Sequence, residues 1–443
     1  MPQHKTLPDG VKRPGPRPLA LHLATANLML LSSFAAWPSA RRVSPLWNPL
    51  LQPRLAALAP ALAAVDPTEF SAALMRLAAS RMVAMTGGML RYRRHGWQRD
   101  LADPPPVWQE GSSRLLSYAD DGIPLLLVPS LVNRAYILDL AEGQSLCRWL
   151  AGRGIRPVLL DWGMPGDTEQ RFDLTAYIAR LRRALAALHG HAGRPPILLG
   201  YCMGGNLALA AALQAPDDVA ALALLATPWD FHAGGAHHAA LVQSLAPALV
   251  PEQGPVPADA PAMLEVDVLQ GFFWALDPFT ALKKFTQFAT LPPDSDAARR
   301  FVAMEDWLND GVPLAGPVAR ECLLGWYGEN TPPAGRWLVD GRPVRPQDWR
   351  KPALAVLPER DKLVPKEGAE AILSQLPQAD RLDVPSGHIG MMVGPRAESG
   401  LWQPLADWLL RQAAAGPQAE QGEQKAATRR PQRKRKPVIK AQA

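Results

Sequence analysis

Short apolar runs alternate with longer amphipathic stretches through the middle of the chain. Pro124-Leu125-Leu126-Leu127-Val128-Pro129, Pro157 to Trp162, Ile197-Leu198-Leu199 and Ala220 to Ala226 have the length and continuous apolarity of buried strands. Between them, Leu138 to Leu150, Leu174 to His189 and Asn206 to Leu213 read as helices. Strands alternating with helices predict an α/β fold, a mostly parallel sheet covered on both faces. Ligands then bind beyond the carboxyl ends of the strands.

The alternation stops at Phe231 and is absent to about Asp348. This stretch is rich in Pro, Trp and Phe and reads as an inserted, mostly helical cap. Pro352 to Leu357 restores a strand, Asp380 to Val384 reads as the last one, and Leu401 to Gln412 as the closing helix. The resulting division places an α/β core at 91–231 and 349–412 and a cap at 232–348. Before the core, residues 19–90 form a helical segment, with helices at Leu19 to Trp37 and Phe70 to Leu90. Residues 1–18 and 413–443 are expected to be disordered.

Leu19 to Trp37 follows basic residues, as a signal peptide or a membrane span does. His22, Thr25, Asn27 and the long, proline-broken leader argue instead for a helix packed on the body or touching an apolar surface.

Composition narrows the setting. With 443 residues, 48% of them hydrophobic, the chain can bury a large core. Three cysteines (Cys147, Cys202 and Cys322) are too few for a disulfide framework and fit a reducing cytoplasm. No Cys/His spacing suits zinc, so no metal is expected. Much of the net charge of +6 lies in Arg429-Arg430-Pro431-Gln432-Arg433-Lys434-Arg435-Lys436. Nothing aromatic accompanies that tail, so nucleic-acid binding is not expected, and its reading is a solvated arm with at most weak contacts to anionic surfaces.

The chemistry centres on Leu198-Leu199-Gly200-Tyr201-Cys202-Met203-Gly204-Gly205. A strand, then G-x-C-x-G, then a helix is the thiol form of the elbow that holds a nucleophile on a strained turn. Gly200 and Gly204 have a steric reason, since side chains there would collide across the turn. The helix after Cys202 points its N-terminus at the sulfur, which favours thiolate.

A thiol nucleophile needs a base and a group to orient that base. Both follow in the order nucleophile, acid, histidine. Asp361 stands in Glu359-Arg360-Asp361-Lys362, just past the restored strand. His388 stands in Ser386-Gly387-His388-Ile389-Gly390, just past the last strand. Backbone N–H groups of Met203 and of Val132, in the loop after the first strand, are the candidates for an oxyanion hole. Asp161 and Asp230 come before the base in the wrong order and read as loop-organising carboxylates. His189 and His191 suit a helix C-terminus, and His232, His237 and His238 read as mobile surface.

Taken in order, these segments resemble the polyhydroxyalkanoate synthase family, closest to its shorter class III catalytic subunits, within the α/β-hydrolase superfamily. The resemblance is carried by Pro124 to Leu140 with Asn133, Tyr136 and Asp139, and by Leu160-Asp161-Trp162-Gly163-Met164-Pro165. It continues through the box at Cys202, Thr227 to Phe231, Tyr327-Gly328-Glu329-Asn330 with Gly335, and the Asp361 and His388 segments. It covers about residues 90–412.

The resemblance implies an α/β-hydrolase fold and transfer of 3-hydroxyacyl groups from coenzyme A to Cys202, then onto a growing polyester. His388 would deprotonate Cys202 and, with Asp361, activate the incoming hydroxyl. Coenzyme A thioester is substrate, and no cofactor is implied. A homodimer or a complex with a class III-type partner subunit, and residence on polyester granules, are further expectations. The N-terminal segment and the basic tail depart from the family pattern. A thioesterase or polyester depolymerase on the same Cys-His-Asp scaffold is the alternative, and a granule-surface protein without activity is a third reading that the intact triad opposes.

Overall fold

In the computed structural model the apolar runs pair as one sheet, and residues 13, 15–42, 44–234, 236–249 and 263–414 are described. Its strands are β1 (Pro106–Glu110), β2 (Ser113–Ser117), β3 (Ile123–Val128), β4 (Ile155–Asp161), β5 (Ile197–Tyr201), β6 (Ala221–Leu225), β7 (Ala353–Pro358) and β8 (Ala379–Val384). They lie in the order β1-β2-β4-β3-β5-β6-β7-β8. From β4 to β8 every pairing is parallel, whereas β1 and β2 form an antiparallel hairpin joined to the β4 edge. In the centre, Leu126 lies between Val158 and Leu198, and Gly200 pairs with Leu224.

Three helices precede the sheet: α1 (Leu19–Arg41), α2 (Gln52–Ala64) and α3 (Pro67–Arg93). Within the core lie α4 (Leu146–Ala151), α5 (Leu174–Ala192) and α6 (Met203–Gln214). The cap carries α7 (Ala236–Leu249), α8 (Val266–Leu276), α9 (Thr280–Thr290), α10 (Asp296–Asn309) and α11 (Gly316–Arg320), which runs into a π-helical turn at Glu321–Gly328. A closing helix α12 spans 403–414.

Strand side chains alternate faces, and the core divides accordingly. Leu126, Val128, Leu198 and Leu222 pack with α5, α6 and the cap. Leu125, Leu127, Leu199 and Ala223 pack with α4 and the C-terminal helix, including Trp408. Each of these strand leucines is fully buried, so truncating one to alanine costs about 2–5 kcal/mol.

Several elements differ from the sequence reading. Leu138 to Leu150 is not one helix. Ala135–Leu138 is a 3-10 turn, Asp139–Ala141 pairs with Gln144–Ser145, and only Leu146–Ala151 is α-helical. Gly143 turns this ribbon at φ 71°, and buried Asp139 takes hydrogen bonds from Arg99, Arg148 and Tyr118. That carboxylate is satisfied by side chains a continuous helix would not bring to it. β1, β2 and α2 were not anticipated.

Within the leader, Arg13 is among the described residues and packs on the body. Its guanidinium is buried, donates to Asp306 Oδ1 at 2.6 Å, and also reaches the carbonyls of His95 and Trp97. A fork of donors meeting a carboxylate and backbone carbonyls explains why this arginine leaves water. The expected disorder at 1–12 and 415–443 lies outside the described residues.

Candidate active site

β5 ends at Tyr201 and α6 starts at Met203, which leaves Cys202 alone on the elbow at φ 56°, ψ −131°. A non-glycine residue with positive φ costs of order 1–3 kcal/mol and persists only where its surroundings impose it. Here a β-carbon on Gly200 would sit 2.4 Å from the Gly205 Cα, and one on Gly204 would sit 2.1 Å from the Val128 carbonyl oxygen. Gly205 is a third such position, since a β-carbon there would lie 1.8 Å from Thr227 Oγ1. The tight packing of the elbow against β3 and the β6 loop therefore depends on glycine at all three.

Asp361 follows β7 and His388 follows β8, so both arrive at the carboxyl edge where Cys202 stands. His388 Nδ1 and Asp361 Oδ2 are 2.6 Å apart. The other carboxylate oxygen accepts the N–H groups of Leu363 (2.8 Å) and Val364 (2.9 Å). Asp361 is thus fully buried yet fully satisfied. The Cys202 sulfur lies close enough to the same imidazole to act on it electrostatically. Tyr201 stacks on the imidazole at 5.0 Å and donates its hydroxyl to the His388 carbonyl at 3.1 Å. Two side chains thereby fix the ring, a role for Tyr201 that sequence reasoning missed.

Burial alone would push the His388 pKa down. The Cys202 sulfur and the Asp361 carboxylate outweigh it and hold the value up at about 10. The site therefore favours an imidazolium beside the sulfur. Cys147 and Cys322 are buried without such a partner, and burial pushes their thiols well up. Among the three thiols only Cys202 has a base against it.

The oxyanion candidates differ in what they offer. Met203 is the first residue of α6, so its N–H belongs to the helix's terminal donors that lack an intrahelical acceptor. The Val132 N–H lies 3.2 Å from Ser130 Oγ, a hydroxyl of its own loop. That loop is gripped by the cap. Val312 N donates to the Val132 carbonyl at 2.9 Å, and Trp307 Nε1 donates to the Arg134 carbonyl at 2.8 Å.

A cavity of about 140 Å³ opens over Cys202 and His388. Its walls are mainly apolar, with Val132, Phe231, Leu269, Phe272, Trp307 and Trp326 among them. Among the described residues no cluster of three His, Cys, Asp or Glu is placed to hold a metal.

The remaining carboxylates organise loops. Asp230 accepts the N–H groups of His232 and Ala233 and the Asn330 amide, and Asp161 accepts the Gly163 N–H. His189 pairs with Asp218 at 2.7 Å. His232 is tied to the Tyr327 carbonyl at 2.8 Å rather than loose, and the side chains of His237 and His238 lie outside those described.

A family model described as the alpha/beta hydrolase fold matches residues 124–395. The chain is 30% identical over 293 residues to the poly(3-hydroxyalkanoate) polymerase subunit PhaC of Allochromatium vinosum, covering 65% of this chain and 80% of that one. It is 29% identical over 323 residues to the subunit of that name from Haloferax mediterranei, covering 70% of this chain and 64% of the relative. The Synechocystis subunit is 29% identical over 296 residues, with 65% and 77% covered. The match thus spans a little under two thirds of the Haloferax protein and most of the other two. The chain belongs to the α/β-hydrolase fold family and, within it, to the poly(3-hydroxyalkanoate) polymerases.

Proposed function

We propose that this chain is a polyhydroxyalkanoate synthase, an acyltransferase that moves 3-hydroxyacyl groups from coenzyme A onto a growing polyester through Cys202. The observation that carries the chemistry is the Cys202–His388–Asp361 relay at the floor of an apolar cavity. His388 takes the thiol proton, and the sulfur attacks the thioester carbonyl. The oxyanion forms near the Met203 N–H. Collapse breaks the bond to the coenzyme A sulfur, which leaves with the proton held by His388. The 3-hydroxyl of another acyl group then attacks the Cys202 thioester, His388 accepts its proton, and an ester bond replaces the thioester. Asp361 orients the imidazole through Nδ1.

Thioester exchange between two thiols is nearly isoenergetic, so a cysteine takes the acyl chain and hands it on without a large free-energy step. The alternative acceptor is water, which makes the same scaffold a thioesterase or depolymerase. The aromatic and aliphatic walls favour transfer, since they disfavour bulk water around the acyl-enzyme. No resident cofactor enters this scheme. A homodimer, or a complex with a class III-type partner subunit, is the assembly we expect to polymerise. Sedimentation of the chain by itself tests the dimer.

The deciding experiment supplies 3-hydroxybutyryl-coenzyme A and follows coenzyme A release and insoluble polymer together, with Cys202→Ala as control. Release with polymer, both lost in the variant, is the expected result. Release with free acid and no polymer assigns a hydrolase. Equal release by both proteins removes Cys202 from the reaction.

A further inference from the structure

The helices before the sheet leave the body as an arm. Their inner end is packed, with Ala26 and Leu30 of α1 and Met85 and Met89 of α3 buried against Phe285 and Phe288 of α9. Gly88 permits the approach, since a β-carbon there would lie 2.1 Å from the Phe285 carbonyl oxygen. Further out, the Trp37 ring of α1 packs tilted against Phe70 of α3, centroids 4.7 Å apart, and donates to Ser71 Oγ at 3.0 Å. Residue numbers rise along α1 as they fall along α3, so the two helices are antiparallel. From Leu30 to the end of α1 at Arg41 the helix advances about 16 Å beyond the packed end.

Nothing among the described residues buries the outer end. Among the described residues of 38–84 not one is buried. The loop between α1 and α2 presents Leu46 and Leu50, 94% and 84% exposed, and Leu58, Val65, Met75 and Leu77 are also open to solvent. An exposed apolar patch of this extent marks an interaction site. The charges beside it have one dominant sign. Residues 38–84 hold five arginines (Arg41, Arg42, Arg54, Arg76 and Arg81) against Asp66 and Glu69, and 19–65 contains no acidic residue.

We propose that the tip formed by the 44–51 loop and α2 inserts into anionic phospholipid surfaces, with the arginines on the headgroups. The charge selects this occupant. A second copy of the tip would set arginines against arginines, and an uncharged polyester gives them no counter-charge. Apolar side chains flanked by arginine satisfy both layers of an anionic lipid surface. The body-packed end of α1 and α3 keeps the rest of the chain in water. This inference does not rest on the acyl-transfer reading.

Co-sedimentation of the full chain with vesicles tests it. Vesicles of equal parts phosphatidylglycerol and phosphatidylcholine should bind the protein about tenfold better than phosphatidylcholine alone, and salt should weaken the binding. The double variant Leu46→Asp, Leu50→Asp should lose at least about tenfold in affinity for the mixed vesicles. It replaces only exposed side chains, so its thermal unfolding and coenzyme A release should match those of the unaltered chain. Both proteins carry the basic C-terminal tail, so equal binding by the two would assign the affinity to the tail and overturn the proposal. Two other outcomes also overturn it. One is tighter, tip-dependent binding to poly(3-hydroxybutyrate) particles than to the mixed vesicles. The other is self-association that the double variant abolishes.

Discussion

Cys202 and His388 are defined by each other. The sulfur raises the histidine's pKa, and the histidine holds the proton that the sulfur gives up. Cys202→Ala should therefore do two things. Coenzyme A release from a 3-hydroxyacyl thioester should fall to background, and the His388 pKa should drop below its present value of about 10. An NMR titration of the histidine ring protons reads the second effect. An unshifted titration would show that the sulfur does not act on the imidazole. Asp361→Asn separates orientation from folding in the same relay. Its remaining carbonyl oxygen can still accept the Leu363 and Val364 N–H groups, so circular dichroism should show a folded chain. The amide cannot hold the imidazolium, so kcat should fall by roughly 10³ to 10⁴. A loss of less than about tenfold would move the orienting role to another group. These three side chains were legible in the sequence because their signals are local: glycines around a thiol, and an acid and a histidine each just past a strand. The oxyanion donors were not, because any residue type supplies a backbone N–H. Only the fold shows that the Val132 N–H faces Ser130 Oγ.

At the scale of elements, the strands that an unbroken apolar run announced formed within a residue or two of their expected limits, as β3 (Ile123–Val128) and β7 (Ala353–Pro358) illustrate. The hairpin of β1 and β2 was not legible because it lies at the sheet edge, and Pro106 to Glu110 keeps its side chains mostly exposed or half-buried. Leu138 to Leu150 misled because its apolar spacing is helical, while a buried charge cluster around Asp139 dictates the backbone. The link between cap and core was equally invisible, since it runs through single hydrogen bonds between residues 173 and 180 apart. Trp307 on α10 holds the Arg134 carbonyl, and Val312 holds the Val132 carbonyl in the same loop. Trp307→Phe keeps an aromatic wall and removes one of these bonds. If the loop positions the transition state, kcat should fall about tenfold with KM nearly unchanged. A raised KM with intact kcat would reduce Trp307 to a wall of the cavity.

For the molecule as a whole, cap and core meet around a carboxyl group that the chemistry does not use. Glu321 begins the π-helical turn of the cap, and its Oε1 accepts the Leu174 N–H at the start of α5, 2.9 Å away. Burial pushes its pKa up to about 7, the Leu174 N–H opposes that shift, and the nearby Asp173 charge adds to it. The sign of the consequence follows from proton counting. Between the ordinary glutamate pKa of 4.5 and about 7, the folded chain holds a proton that the unfolded chain has released. Raising the pH through this window therefore favours unfolding, and above it the folded state carries the cost of ionising a partly buried carboxylate. That cost is on the order of 3 kcal/mol. Glu321→Gln retains an oxygen to accept the Leu174 N–H and has nothing to ionise. Thermal unfolding of the two proteins should coincide near pH 4.5, separate as pH rises, and leave the variant several degrees more stable at pH 8. A constant difference across that range would mean that the substitution acts through packing. If separation instead follows pH as described, the join between cap and core is weakest in alkaline solution. The cavity over Cys202, walled by cap residues such as Phe272 and Trp326, should then loosen first at high pH. Proteolysis within the cap at pH 8, slowed in the glutamine variant, is the direct measure of that loosening.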